Sequence, residues 1–396
     1  TGISYISPEL TKGGIKTMSK ELIPAGIEVA MDIGSSEVRY VDLITNEKST
    51  GGNEYLDIVD GRDLSRYEGY TRDIEDNLEL FVTQTGGQDS DFENEVRYLQ
   101  GSLLHQVSAT VRKPNSLTGK VRQTSTYRNI ITTLTIMAYK KGLTKIQPVV
   151  GILIPPSEFF SGEGEYLKSR LAGTYKVRVP RLDYALEIEI LQDKITVQPE
   201  GFAAFGYFFT ETERDMDEFA NARILSIDIG ASTTDITVVD SLRAVNHAFE
   251  TFRFGGNKMV TKFSELYSRE NRGNKPDFKT CERAIATGLL KRGAIDVDVQ
   301  RYVEGAKEDY ARTLFTNLGE YFTSKEILPE SLDMVMFLGG GSLPTVAPGE
   351  ILPKVPSVGE YIMKEINQVS EHTKGLFIDN ARWANVEGLV IAMGRD

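Results

Sequence analysis

A single cysteine, Cys281, stands among the 396 residues of the chain. One cysteine cannot close an intramolecular disulfide, and a chain so poor in cysteine is typical of a reducing compartment. Histidine is also scarce: His105, His247 and His372 are far apart, and none has a cysteine or another histidine near it. The sequence therefore gives no support for a zinc site, and any metal is expected to be a hard cation bound by oxygen.

Long apolar runs are missing as well. The longest, 149–156 and 202–209, are far shorter than the ~20 residues that a membrane-spanning helix needs. The N-terminus does not show the charged and then apolar order of a signal peptide. From these features we expect a cytoplasmic protein without a membrane partner.

Basic residues are outnumbered, with 45 lysines and arginines against 57 acidic residues and a formal net charge of -12. A protein whose main task is to neutralise phosphates would carry the opposite balance. Direct binding to DNA is therefore not expected, although a partner protein that binds DNA is compatible with this charge.

The length of the chain exceeds what one hydrophobic core usually organises, so two domains are expected. Residues 1–24 are polar, lack periodicity and end at Pro24, which predicts a tail outside the folded part. Residue 1 is not methionine, and processing, a vector remnant or a later start near Met18 are all compatible with that.

Strand-like alternation begins just after this tail. Apolar residues alternate from Ile27 to Met31, a turn follows at 33–36, and the alternation resumes at Val38, which predicts a β-hairpin. The charged, glycine-containing stretch 60–119 then predicts a small inserted subdomain.

A helix and a buried strand follow this insertion in the predicted order. Apolar residues at helical spacing run from Thr124 to Lys141, and Gly142 is placed to end the helix. The apolar run 149–154 predicts a strand buried on both faces. Strand, helix and strand in succession indicate an α/β lobe.

The hairpin pattern returns in the second half of the chain. Residues 224–230 predict a buried strand that enters a glycine turn, and 235–239 predict the strand that leaves it. This repeat favours duplication of a whole lobe. Residues 257–329 are charged and mostly helical in pattern, which predicts a second inserted subdomain; 334–338 predict another buried strand and 383–393 a terminal helix.

Two turns share the order carboxylate, glycine and then hydroxyl residues. A glycine lets backbone N–H groups approach a phosphate, hydroxyls add donors, and a carboxylate at the strand end can hold the waters of Mg²⁺. Each turn alone reads as an ordinary tight hairpin, whereas the matched pair favours a clamp around the phosphates of a nucleotide. The candidate residues are Asp32, Gly34, Ser35 and Ser36 in the first turn and Asp228, Gly230, Ala231, Ser232, Thr233 and Thr234 in the second.

These turns resemble the phosphate 1 and phosphate 2 loops of the superfamily of actin, sugar kinases and seventy-kilodalton chaperone ATPases. Three further segments stand in the order of that superfamily: 198–204 resembles its first connecting helix, 337–342 its adenosine motif and 385–388 its second connection. The resemblance implies an α/β, actin-like two-lobed fold, each lobe a mixed sheet flanked by helices (ribonuclease-H-like) with a small inserted subdomain. It implies a first lobe of residues 25–200 plus 378–396 and a second of 201–377.

The resemblance also implies roles for single residues. Glu200 would orient the attacking water with Asp228 as its companion, while Asp32 and Asp228 would hold Mg²⁺, largely through water. The nucleotide is expected to be ATP, with GTP as the alternative. The remaining nucleotide contacts implied by the motifs are Gly255, Gly256, Glu282, Gly339, Gly340, Gly341 and Ser342.

Several of these residues have a structural alternative. Glu200 follows Pro199 and could simply begin a helix, glycines 339–341 could form a loop, and Glu282 could lie on the exposed face of a helix. The sequence alone favours the catalytic role for Glu200 and leaves Glu282 evenly balanced.

Within the superfamily, the chain is most similar to the ParM-like plasmid-segregating actins of bacteria. The forms of 171–177, 198–200, 228–235 and 255–256 carry this likeness. It implies a head-to-tail filament with ATP, hydrolysis that destabilises the filament, and an adaptor protein that joins it to centromere-like DNA. Two alternatives stay open: a small-molecule (sugar or acid) kinase of the same superfamily, and a shape or division scaffold that hydrolyses little nucleotide.

Overall fold

The computed structural model describes residues 26–58, 64, 73–88, 90–107, 119–212 and 219–394. The predicted polar tail, 1–24, lies outside these residues, and so do parts of the predicted insertion at 60–119. Among the described residues, no helix is both long enough and apolar enough to cross a membrane.

The strands of the described part of the chain assemble into four sheets. Their bounds are β1 (Glu28–Ile33), β2 (Glu37–Asp42), β3 (Glu47–Gly52), β4 (Leu56–Asp57), β5 (Glu79–Thr85), β6 (Val96–Leu99), β7 (Lys145–Ile146), β8 (Val149–Ile154), β9 (Gly173–Val179), β10 (Tyr184–Ile190), β11 (Ile195–Pro199), β12 (Arg223–Ile229), β13 (Thr234–Asp240), β14 (Arg243–Phe252), β15 (Leu289–Arg292), β16 (Ile295–Asp298), β17 (Met334–Leu338) and β18 (Lys374–Phe377).

The same residues also form the α-helices. Their bounds are α1 (Gly101–Val107), α2 (Thr124–Lys140), α3 (Pro156–Phe160), α4 (Glu163–Leu171), α5 (Ala203–Thr212), α6 (Gly256–Glu270), α7 (Phe278–Thr287), α8 (Gln300–Ser324), α9 (Val358–Ile366) and α10 (Ala384–Ala392).

Two of the sheets have the same topology. One is ordered β11-β8-β1-β2-β3 and the other β18-β17-β12-β13-β14. In each, the central strand pairs antiparallel with the strand that follows it and parallel with a strand from much later in the chain. The shared order bears out the predicted repeat of a lobe, and we call the bodies built on these sheets the first and second lobes.

The first lobe buries its central strand β1 on both faces. Strand β8, formed by the apolar run 149–154, is buried on both faces as predicted. Helix α2 packs Ile130 and Leu134 into the same core as Val29 of β1 and Ile152 of β8. The helix ends where predicted, since Gly142 follows it with a φ of 67°, a conformation that glycine adopts without strain.

The second lobe has an equivalent core, in which Leu225 and Val335 of the sheet pack against Leu314 of α8 and Ile362 of α9. The mostly helical pattern of 257–329 is confirmed by α6, α7 and α8. Between α7 and α8, however, β15 and β16 form an antiparallel hairpin that the helical prediction did not separate.

A third sheet, ordered β4-β6-β5-β9-β10-β7, belongs to the first lobe. Its strands come from both sides of α2 in the sequence, since β5 precedes that helix and pairs with β9, which follows it. The bounds proposed for the inserted subdomains, about 60–119 and 257–329, stay a prediction.

Helices α5 and α10 cross at very close range. Gly388 of α10 lies against the carbonyl group of Ala203, where a Cβ could not be accommodated. Both helices belong to segments that resemble interdomain connections, so the two predicted connections meet each other in the fold.

Candidate functional site

The turns that follow β1 and β12 face each other across a cleft of about 460 Å³. Each turn leaves the carboxyl end of the central strand of its sheet, the edge where α/β sheets commonly bind ligands. The predicted site residues that line this cleft are Asp32, Gly34, Ser35, Ser36, Glu200, Asp228, Gly230, Ala231, Ser232, Thr233, Gly339 and Gly340.

The first turn is fixed from behind by buried amides. The side-chain amide of Asn53 donates to the carbonyl of Gly34, and Asn129 of α2 donates to the oxygen of Asn53. These contacts hold the turn while Ser35 and Ser36 line the cleft.

The second turn is braced by the loop that precedes α6. The N–H of Gly256 donates to the carbonyl of Gly230 at 2.8 Å, and the N–H of Asn257 donates to that of Ala231 at 2.8 Å. A Cβ on Gly255 would lie 2.5 Å from the carbonyl oxygen of Gly230, so glycine is required there. Gly255 and Gly256 therefore support the turn instead of lining the cleft.

The glycine loop after β17 approaches the second turn from the other side. Gly339 has a φ of 77°, and a Cβ there would overlap the carboxylate of Asp228. Ser342 Oγ donates to the carbonyl of Gly339 at 2.8 Å, and Gly341 packs behind the loop against β12. Gly339 and Gly340 thus present backbone to the cleft, whereas Gly341 and Ser342 hold the loop in place.

Two further predicted contacts do not line the cleft. Thr234 is buried, and its Oγ1 donates to the carbonyl of Phe254 at 2.8 Å. Glu282 lies on the exposed face of α7 and is not among the residues that line the cleft. The helical pattern was correct there, but it does not determine where the helix stands, and the geometry gives the ribose contact of Glu282 no support.

Acidic side chains and two cations meet at the centre of the cleft. Arg39 donates to the carboxylate of Asp32 at 2.9 Å. The ammonium of Lys120 donates to Glu200 and lies 3.6 Å from an oxygen of Asp32. The carboxylates in question are Asp32, Glu200, Asp228 and Asp235.

Burial, together with the charges of Glu200 and Asp32, raises the pKa of the Asp228 carboxyl to about 7. Burial likewise raises the pKa of Asp235, to about 8, and the charge of Glu200 is again the largest charge that contributes. The pKa of Glu200 is also raised by burial, although Lys120 opposes that effect. The carboxylates repel one another, and a cation placed among them would relieve the repulsion.

Within the described ranges, no three histidine, cysteine or acidic side chains stand close enough to hold a metal by themselves. Mg²⁺ usually keeps several waters and binds through one or two carboxylates and phosphate oxygens. Asp32 and Asp228 line the same cleft and fit a magnesium site of that kind, completed by a nucleotide.

Three residues of the cleft were missed as site residues. Asn385 donates to the carboxylate of Asp228 and accepts from the N–H of Gly201 at 2.9 Å, although it begins the second connection motif. Asp235 stands inside the second turn motif and received no role. Lys120 belongs to no motif, so nothing in the sequence pointed to it.

The sequence family described as archaeal actin homologue MreB-like, C-terminal, matches residues 226–345. This match lies within the second lobe and includes the second turn and the glycine loop. No curated protein matches the sequence significantly.

Solved structures match nearly the whole chain. An archaeal actin homologue in complex with ADP is similar to it with a TM-score of 0.65 and 15% identity, over 93% of this chain and 100% of its own. The actin-like protein Alp7A has a TM-score of 0.68 and 16% identity, over 93% of this chain and 96% of its own. ParM in a 15-stranded filament from Clostridium botulinum has a TM-score of 0.59 and 14% identity, over 94% and 99%.

The sheet topology and these structures agree with each other. Two lobes share one strand order, and the similar structures cover both of them. The chain has the actin-like two-lobed fold.

Proposed function

We propose that this protein binds Mg-ATP between its lobes and hydrolyses it, as an actin-like ATPase. The observation that carries the proposal is the cleft, where two glycine turns from opposite lobes face each other over buried carboxylates. Such turns offer donors to phosphates, and the carboxylates suit the magnesium that accompanies a nucleotide. The archaeal homologue of the same fold that was solved with ADP supports an adenine nucleotide over GTP.

Glu200 is the residue proposed to orient the attacking water. It follows β11, and its N–H donates to the carbonyl of Ile154 at 2.9 Å, which fixes its place at the cleft. The water oxygen bonds to the γ-phosphorus while the bond to the β–γ bridging oxygen breaks, and ADP leaves with that electron pair. One proton of the water passes to the Glu200 carboxylate and then to solvent.

Asp228 is the proposed companion of Glu200. The Asn385 amide donates to one of its carboxylate oxygens, and the backbone of Gly339 approaches the other. Because Asn385 belongs to the second connection, the position of this carboxylate depends on how the two lobes stand to each other. Mg²⁺, held by Asp32 and Asp228, would neutralise charge on the phosphates.

We further propose that ATP drives assembly of head-to-tail filaments and that hydrolysis weakens them. A head-to-tail contact that does not close produces a filament, and ParM of the same fold forms one. The finer proposal is segregation of plasmid DNA in the cytoplasm through an adaptor protein bound to centromere-like DNA. The net charge of -12 supports an adaptor over direct contact with DNA.

Electron microscopy and pelleting of the purified protein with ATP, with ADP and without nucleotide test this proposal. We expect filaments with ATP, together with phosphate release that rises steeply once the protein concentration permits assembly. A protein that stays monomeric at every concentration would contradict the filament. Phosphate transfer to a sugar or acid in place of water would favour the small-molecule kinase, and flotation with liposomes would favour a scaffold.

A further inference from the structure

Lys120 forms an ion pair with Glu200, the residue that is proposed to orient the attacking water. Its ammonium donates to Oε1 of Glu200 and lies 3.6 Å from Oδ1 of Asp32, and 13% of its side chain is exposed. A carboxylate paired with an ammonium is a weaker proton acceptor than a free one. While this pair persists, Glu200 is poorly suited to orient and deprotonate a water molecule.

The backbone of Lys120 is fixed by Glu158 of α3. That carboxylate accepts the N–H groups of Lys120 and Val121, both at 2.7 Å, and Thr126 Oγ1 donates to the Lys120 carbonyl at 2.6 Å. Gly119, just before it, faces the same carboxylate, where a Cβ would lie 3.1 Å from the carboxyl carbon of Glu158. The backbone at Lys120 is thus held firmly in place. The four-carbon side chain of lysine is flexible, so the ammonium can reach more than one acceptor.

Phosphate is a stronger partner for this ammonium than a single carboxylate. A terminal phosphate carries more negative charge and several acceptor oxygens, and lysine binds it as a point charge. Asp32, the second neighbour of Lys120, begins the first glycine turn, so the ammonium lies next to the proposed position of the phosphates.

We infer that Lys120 binds the γ-phosphate of ATP and exchanges partners during the cycle. Without nucleotide, or with ADP, the ammonium stays on Glu200 and keeps it occupied. When ATP is bound, the ammonium moves to the γ-phosphate and releases Glu200 to orient the water. After phosphate leaves, the pair with Glu200 forms again. This inference rests on the proposed ATPase function and makes Lys120 the residue that distinguishes ATP from ADP.

The test compares Lys120→Met with Arg122→Ala, a control in the same turn whose side chain is 59% exposed and pairs with Glu163 at the surface. Dissociation constants for ADP and for a non-hydrolysable ATP analogue are measured by titration, and hydrolysis by single-turnover kinetics. We expect Lys120→Met to weaken the analogue by about tenfold to a hundredfold and to change ADP affinity by less than about threefold. Hydrolysis should fall by about a hundredfold or more, while Arg122→Ala matches the wild type.

Different results separate the inference from the function on which it rests. Equal losses of ADP and analogue affinity in Lys120→Met would show that the residue only shapes the cleft and would overturn the inference. Unchanged affinities and rates would overturn it too. If the wild type binds neither nucleotide, the proposed function itself fails. Lys120→Gln, which keeps a donor toward Glu200 without the charge, gives the same comparison if the methionine variant does not fold.

Discussion

At the scale of single residues, Glu200 is hydrogen-bonded to Lys120 and to the carbonyl of Ile154, and neither partner belongs to a glycine turn that is proposed to bind the phosphates. We therefore expect Glu200→Gln to slow ATP hydrolysis by about a hundredfold to a thousandfold while ADP and ATP affinities change little. Single-turnover kinetics and nucleotide titration measure the two effects separately.

The control for this variant is Glu165→Gln, because Glu165 is an exposed carboxylate that pairs with Lys168 on α4. It should hydrolyse ATP at the wild-type rate. A Glu200→Gln protein that no longer binds ATP would contradict the division of roles, since it would place Glu200 among the binding residues.

Lys307 is a buried lysine whose ammonium donates to the carbonyls of Leu343 and Pro356, both at 3.1 Å. Burial lowers its pKa from 10.5 to about 7, and the charge of Glu360 only partly opposes this. Between these two pH values the unfolded chain binds a proton that the folded protein does not. The free energy of unfolding should therefore rise with pH across that interval.

The measurement is urea unfolding at pH 7 and pH 9 for the wild type and for Lys307→Met. The wild type should gain about 2 to 3 kcal/mol between these pH values relative to the variant. Lys364→Met, a change at an exposed lysine of α9, should behave as the wild type. Equal pH dependence in the wild type and Lys307→Met would show that Lys307 is not the group that titrates.

At the scale of elements, the crossing of α5 and α10 depends on the missing side chain of Gly388. Gly388→Ala should lower the free energy of unfolding by about 1 to 3 kcal/mol, because its methyl group would push against the carbonyl of Ala203. The matched control is Gly206→Ala on α5, where an added Cβ would lie at an ordinary 3.9 Å from the carbonyl of Gly388. That variant should be unchanged or more stable by up to about 1 kcal/mol, and a tolerated Gly388→Ala would contradict the close packing.

The elements that the sequence predicted correctly are those whose signals are local. The β1–β2 and β12–β13 hairpins follow from alternation around a glycine turn, and the end of α2 follows from Gly142. The hairpin of β15 and β16 was missed because each strand has only four residues, too few to show a clear period within a charged stretch. Its turn at Gly293, with a φ of 59°, was the available signal.

In the cleft, too, only the residues with a local sequence signal could be predicted. The glycine turns could be predicted because each motif is continuous, whereas Lys120 meets Glu200 across 80 positions of sequence. No spacing rule joins two such residues. The nucleotide contact of Glu282 stays a prediction: the helix that carries it has a local signal and was predicted correctly, but the direction of the side chain depends on how α7 packs against its neighbours.

At the scale of the whole molecule, the lobes also touch beside the cleft. Phe160 of α3 stacks on Phe249 of β14, with ring centroids 5.3 Å apart and an interplanar angle of 16°. This aromatic contact joins the lobes beside the cleft.

Phe160→Ala should therefore favour an open cleft. We expect a larger radius of gyration in X-ray scattering of the nucleotide-free protein and ADP release that is about two- to tenfold faster. Phe278→Ala, a change at a phenylalanine that is 48% exposed on α7, is the control. Scattering and release rates that match the wild type would show that the aromatic stack does not hold the lobes.

The contact between Gly388 and the carbonyl of Ala203 also has a mechanical meaning. Because no side chain separates the two helices there, this contact would be the pivot of a rotation of one lobe against the other. A small rotation about this pivot would displace atoms at the rim of the cleft, where Phe160 and Phe249 meet, by a larger distance than atoms near Gly388. The extent of such a movement would thus be set at Gly388, a residue without a side chain.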